Sequence, residues 1–187
     1  MELVQALTLS TENFETLLDR VSEEELALTT PCDKWSVAEL IWHVARGSDM
    51  TVLLVNGGTR DEAKELMRTK VKPPVILECR RALPAQLASL TGADLDETAH
   101  HPVGDVTVRQ LFDFRIMDVT LHTWDLARAI GADEQVPDEL VEHVYGVLAP
   151  MEPFIAQIGI FGSGPTGTLD ADASAQAKLL DLSGRRP

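Results

Sequence analysis

Apolar side chains recur three and four residues apart along most of this chain, and the interruptions between them are short and carry proline, glycine and serine. Val4, Leu7, Phe14, Leu18 and Val21 predict a first helix of about twenty residues. Ser22-Glu-Glu-Glu-Leu26 leads into a loop over 29–36, with Pro31 and Asp33 as breakers. Ser36 followed by Glu39 is a capping box, so a second helix should begin at Val37. On it Leu40, Gly47, Met50 and Leu54 surround His43, and Asn56-Gly57-Gly58 stops it. A short helix is expected at Asp61–Arg68. Pro73 and Pro74 then restart the pattern, with Val75, Leu77, Leu83, Leu87 and Leu90 as apolar positions, a kink at Pro84 and a stop at Thr91-Gly92.

Residues Leu95–Val106 read as irregular or as a short hairpin. Thr107 caps a long helix that runs to Ile130 and ends at Gly131. Pro137 with Asp138-Glu139 opens another, with Val141, Val144 and Leu148 on one face, broken near Ala149 by Pro150 and Pro153. From Gly159 the chain is a Gly- and Pro-rich surface tail with one short helix around Ser174–Leu182. Little strict alternation and helices of this length predict an all-α antiparallel bundle over 1–157, with the tail 158–187 and its short helix packed on it.

One stretch breaks the apolar-inside rule. At about 100° per residue, Arg115, Asp118, His122 and Asp125 fall on one narrow stripe of the long helix, among Leu111, Phe114, Leu121, Leu126 and Ala129. Buried charges are costly unless they are paired or bind a metal.

The bulk numbers change the picture mainly by exclusion. A formal charge of −14 over 187 residues disfavours nucleic acid and anionic membranes as partners. No run approaches the roughly 18 apolar residues of a membrane span, and the N-terminus lacks a basic flank before an apolar run, so a cytoplasmic protein is expected. A hydrophobic share of 44 % suits one globular core, and Cys32 and Cys79 form no metal or redox motif.

His43 on one helix and the Asp118-x-x-x-His122 pair on another supply two imidazoles and a carboxylate, a common three-ligand set for zinc, nickel or iron. The i, i+4 spacing stacks Asp118 and His122 so that both can reach one ion, which a facing helix would complete. The same residues allow a second arrangement: Asp118 pairing with Arg115 and His122 with Asp125 in a satisfied polar network. Arg46 and Arg115 suit either anion binding at the mouth or plain salt bridging. Cys32 lies near the positive end of the His43 helix, where a thiol pKa can fall, although a small core thiol is the commoner outcome. Packing is the expected role of Trp35, Trp42 and Trp124. His143 is expected to be exposed, and His100 and His101 to form a solvated loop pair, with overhanging the site as their alternative.

Two segments carry a resemblance. Thr30-Pro-Cys-Asp-Lys-Trp-Ser-Val-Ala-Glu-Leu-Ile-Trp-His43 and Asp118-Val-Thr-Leu-His-Thr-Trp-Asp-Leu-Ala-Arg-Ala-Ile-Gly131 resemble the signature segments of the DinB and mycothiol-dependent maleylpyruvate isomerase superfamily. The ending Ala175-Gln-Ala-Lys-Leu-Leu-Asp-Leu-Ser-Gly-Arg-Arg-Pro187 is similar to that of a single-domain branch. The resemblance implies a DinB-like up-down-down-up four-helix bundle with short extra C-terminal helical elements. It also implies a divalent metal, zinc or nickel, held by His43, Asp118 and His122. The isomerase has Glu where this chain has Asp118, and it carries a further C-terminal domain.

The function that follows from these readings is a metal-dependent thiol transferase or isomerase acting with a low-molecular-weight thiol such as mycothiol and an electrophile. Arg46 or Arg115 would then hold a carboxylate of the cofactor or substrate. The alternatives are a metal-dependent hydrolase and a non-catalytic, metal-stabilised binding module, with a homodimer allowed. All of them require His43 and His122 to meet, within about 8 Å, around one ion.

Overall fold

Hydrophobic spacing leaves helix ends loose, and in this protein capping side chains set them. The computed structural model describes residues 1–32, 35–153, 155, 164–170 and 172–186, so Asp33 and Gly159, singled out above, lie outside the described residues. The chain divides into two compact units, Glu2–Glu134 and Gln135–Pro187.

In the first unit, α1 (Leu3–Leu18), α2 (Val37–Val55), α3 (Arg60–Met67), α4 (Val75–Ser89) and α5 (Val108–Ala129) are joined by loops and by a hairpin of β1 (Thr98–His101) and β2 (Gly104–Thr107). Ser36 accepts from Glu39 N while Glu39 accepts from Ser36 N at 2.7 Å, the expected reciprocal cap of α2. Thr59 with Glu62 and Thr107 with Gln110 repeat the device on α3 and α5. Gly131, at φ +64°, closes α5 in the left-handed region, and Ala132 N reaches back to Ala127 O at 2.8 Å. A Cβ-bearing residue would be strained there.

The first helix is shorter than its apolar spacing suggested. It stops at Leu18 with Asp19 as its C-cap, and Val21 lies in the following turn. Residues 95–106 resolve into the hairpin, so the described residues are mostly helical with one antiparallel two-stranded sheet rather than wholly α. Thr98 pairs with Thr107, Ala99 with Val106, His100 with Asp105 and His101 with Gly104. Ala99 is buried and His100 exposed, so the strand has one inward and one outward side.

Helices α1 and α2 each pack against both α4 and α5. Their apolar faces meet in a core that includes Phe14, Leu18, Leu40, Ile41, Cys79, Leu83, Val119 and Leu126. Each large side chain buried there contributes on the order of 1.5–3 kcal/mol. On α4 the inward positions are Val75, Cys79, Ala82, Leu83 and Gln86. Leu77, two residues and about 200° round the helix from Val75, therefore points outward and is 62 % exposed. Helix α4 runs without interruption through Pro84, which is exposed.

In the second unit, α6 (Asp138–Leu148) follows Pro137, gives way to a 3-10 turn at Ala149–Met151, and packs against α7 (Ala175–Leu182). Ser174 caps α7 by accepting from Ala177 N at 3.1 Å. Leu140, Val144, Leu148, Leu179 and Leu180 are buried. No described helix is long and apolar enough to cross a membrane.

The two faces of α4 make a direct test. Leu83→Ala leaves a cavity in a packed core and is expected to cost about 2–5 kcal/mol, whereas Leu77→Ala should stay within about 0.5 kcal/mol of the parent in urea denaturation.

Candidate metal centre

The polar stripe on α5 does enter the interior, and each member finds a partner there. Arg115 is almost fully buried and acts as a three-helix clamp. Its Nε donates to Gln86 Oε1 of α4 at 3.0 Å, its Nη2 to Val44 O of α2 at 3.2 Å, and its Nη1 to Asp118 Oδ2 at 2.8 Å. The guanidinium lies where a side chain on Gly47 would otherwise be: a Cβ built there would approach Arg115 Nη1 to 2.1 Å. Gly47 is thus required by close approach, a role that its place in an apolar stripe did not disclose.

With Oδ2 held by Arg115, Asp118 turns Oδ1 toward the two histidines. His43 Nε2 stands 3.1 Å from Oδ1 and His122 Nε2 3.5 Å from it. The imidazole rings are 5.0 Å apart between centroids and nearly perpendicular, well inside the 8 Å requirement. The three donor atoms lie within 4.8 Å of one another. Ligands bonded at about 2 Å sit roughly 3–4 Å apart, so one ion fits among them with modest adjustment. Asp118 is a methylene shorter than glutamate and still reaches both rings, because α2 and α5 pack directly on each other. His43 and Asp118 keep about a quarter of their side chains exposed, 24 % and 25 %, so the cluster opens to solvent on one side.

Behind the cluster, His122 Nδ1 is 2.9 Å from Asp125 Oδ2, and Asp125 is completely buried. A carboxylate against one ring nitrogen fixes the proton there and leaves the other nitrogen's lone pair for an ion. Trp35 closes the ring faces, with centroids 4.6 Å from His43 and 5.7 Å from His122. Its packing role was expected; that it packs on His43 and His122 was not. Cys32 comes to 3.2 Å from Asp125 Oδ2 and 3.8 Å from His122 Nδ1. Ninety residues of sequence separate it from His122, and nothing in the local pattern links them.

The two arginines are committed to protein acceptors. Arg46 stacks over Trp42 at 4.2 Å and pairs with Asp49 at 2.9 Å and Glu78 at 3.0 Å. Arg115 is occupied as described. Salt bridging, the plainer of the two expectations, is what the geometry displays for both, and neither guanidinium stands over the ligand cluster as a free anion clamp. His101 departs from the solvated-pair expectation: it is half-buried, its ring is 6.0 Å from Phe114, and Val103 N donates to its Nδ1 at 3.3 Å. Burial first, then the Arg115 charge, pushes its pKa below the ordinary value.

Charge compensation shifts the cluster strongly in the absence of an ion. Burial opposes ionisation of Asp118, but the charges of His43, Arg115 and His122 outweigh it and hold its carboxyl well below the usual 3.8. Burial likewise opposes charging of His122, yet the Asp118 charge and the hydrogen bonds that the ring makes with Asp118, Asp125 and Cys32 raise its pKa well above 6.5. An ion held here would have to replace the proton on Nε2, so any uptake would release protons and strengthen with pH.

Two outcomes follow. A folded pKa raised above 6.5 means that His122 contributes stability fully present below that pH and lost as pH rises through the raised value. The lowered pKa of Asp118 contributes stability present above about 3.8 and lost as pH falls below it. In chelator the urea midpoint should therefore be highest between about pH 4 and 6.5 and decline toward pH 9. A midpoint climbing steadily above 6.5 would show that the pairing is wrong. Gly47→Ala should displace Arg115 and cost about 1–3 kcal/mol in the same assay.

The chain resembles known proteins in sequence and in fold. The sequence profile of the mycothiol maleylpyruvate isomerase N-terminal domain matches residues 7–127, a span that includes His43, Asp118 and His122. Two Mycobacterium tuberculosis proteins, the uncharacterized proteins MT0763 and Rv0738, are each 26 % identical over 156 residues, covering 82 % of this chain and 81 % of theirs. A crystal structure of the mycothiol-dependent maleylpyruvate isomerase shares the fold at a TM-score of 0.66 and 18 % identity, over 84 % of this chain and 72 % of that one. A histidine-to-alanine mutant of that isomerase superposes equally well, at 17 % identity over 88 % of this chain and 74 % of its own. The profile covers well over half of the sequence, and the chain belongs to the mycothiol maleylpyruvate isomerase N-terminal domain family.

Proposed function

We propose that this protein binds one divalent ion, zinc or nickel, through His43 Nε2, Asp118 Oδ1 and His122 Nε2, and acts as a thiol transferase or isomerase with a low-molecular-weight thiol such as mycothiol. The observation that carries this reading is the convergence of three donor atoms from two helices within 4.8 Å. Family membership supports the choice of thiol, since the related isomerase of known structure is mycothiol-dependent. The up-down-down-up arrangement of that superfamily is proposed for α1, α2, α4 and α5, in keeping with their mutual packing.

When bound, the ion would offer open positions at which a thiol loses its proton more readily, as metal-bound water does. The chain supplies the rest. His43 and His122 hold the neutral nitrogens, and Asp118 adds one negative charge. Arg115 keeps Asp118 Oδ2 turned away, so that one oxygen is presented. Trp35 covers the imidazole faces and keeps water from them. The electrophile would approach from the side on which His43 and Asp118 are exposed.

A second reading, an ion-free polar network, draws on the Arg115–Asp118 and His122–Asp125 bonds, which already partner the stripe. Elemental analysis of protein purified without an affinity tag separates the two. About one zinc or nickel ion per chain is expected, lost in His43→Ala under chelator that the parent withstands. Protein that arrives without metal and takes up none would leave the polar network. In the cobalt form, an added thiol should produce a strong charge-transfer band and conjugate to an unsaturated acid. If thiols give no band while the protein hydrolyses esters, the ion activates water instead.

A further inference from the structure

Beyond the ligands, the loop before α2 reaches the far side of His122. We infer that Cys32 and Asp125 form a positioning pair that holds the His122 ring with a proton on Nδ1 and aims Nε2 at His43 and Asp118, so that an ion would replace only the Nε2 proton. This rests on the metal-site reading for its consequence and on the structure alone for its geometry.

Asp125 Oδ2 accepts from two directions, His122 Nδ1 at 2.9 Å and Cys32 Sγ at 3.2 Å. A wholly buried carboxylate needs such donors, because nothing from bulk water reaches it. The thiol is a weak donor. It therefore fixes which way the carboxylate oxygen points without competing for the stronger bond from the imidazole. Cys32 is itself held firmly. Its amide donates to Thr30 Oγ1 at 3.2 Å, its carbonyl accepts from Trp35 N at 3.0 Å, and Thr30 Oγ1 donates to Trp35 O at 3.0 Å. Thr29 bridges to Ser36, and Val37 N bonds Leu28 O at 2.9 Å, closing the loop at its base. The same short segment thus presents Trp35 to the faces of both imidazoles and Cys32 to the carboxylate behind one of them. The His122 ring is fixed on its face by Trp35 and at its Nδ1 edge by Asp125.

The test uses the whole chain with Cys32→Ala and Cys32→Ser. In metal-free protein, the His122 Nδ1–H proton should give a protected downfield NMR resonance. It should be lost to exchange in Cys32→Ala and return in Cys32→Ser, whose hydroxyl can still donate to Asp125. Cobalt affinity, by chelator competition, should fall about 10–100-fold in Cys32→Ala and recover in Cys32→Ser. A simple packing role would not predict rescue by a smaller, more polar side chain. The inference is overturned if Cys32→Ala keeps the resonance and the parent affinity, or if Cys32→Ser fails as badly as Cys32→Ala. It is also overturned if the cobalt form without added thiol shows a thiolate band that Cys32→Ser abolishes, since Cys32 would then be a ligand in its own right with His122 and Asp125. A parent that binds no cobalt would sink the metal-site reading, while the Nδ1–H resonance would still decide the positioning role.

Discussion

Arg115 is the interaction on which the first unit and its site both depend. A guanidinium almost out of reach of water must be fully hydrogen-bonded, because its charge cannot be shed at any physiological pH. It meets that need by tying α5 to α4 through Gln86 and to α2 through the Val44 carbonyl, and by holding Asp118 on its own helix. The bare backbone at Gly47 makes room for it. One buried cation therefore fixes how α2 and α5 approach each other, which is also what brings His43 to Asp118 and His122.

The site is layered outward from that clamp. Arg115 occupies one oxygen of Asp118 and leaves the other to the histidines. Asp125, on the same face one turn further along α5, does for His122 what Arg115 does for Asp118: it satisfies the rear of the side chain and so directs the front. Opposite charges alternate along the stripe, so that a set of groups costly to bury singly is neutralised together. The result is a small, pre-oriented cluster that reaches the surface only where His43 and Asp118 are exposed.

Apart from the clamp, the fold is built from ordinary parts. Reciprocal caps start α2, α3 and α5, a left-handed glycine ends α5, and the core is aliphatic with few aromatic rings. The hairpin of Thr98–Thr107 is the only sheet among the described residues, and its Ala99 faces inward. His101 at the end of its first strand comes near enough to Arg115 and Asp118 for both to bear on its pKa.

Much of this was legible in the residues taken singly. Ser36 with Glu39, Thr107 and Gly131 set helix ends because capping and left-handed backbone are local properties of a few consecutive residues. Asp118, His122, Arg115 and Asp125 announced themselves by sharing one face of one helix, since a 3.6-residue period is enough to compute who faces inward together. Leu77 shows the limit of the same method: an apolar residue near a periodic run is not thereby on its inward face. What only the tertiary structure decided were the contacts across helices and loops. Among these are the meeting of His43 with Asp118, the need for glycine at position 47, the choice of Gln86 and Val44 as acceptors for Arg115, and the arrival of Cys32 and Trp35 at His122. These depend on how far and at what angle whole elements pack, a quantity set by the summed core and not written in any short segment of the chain.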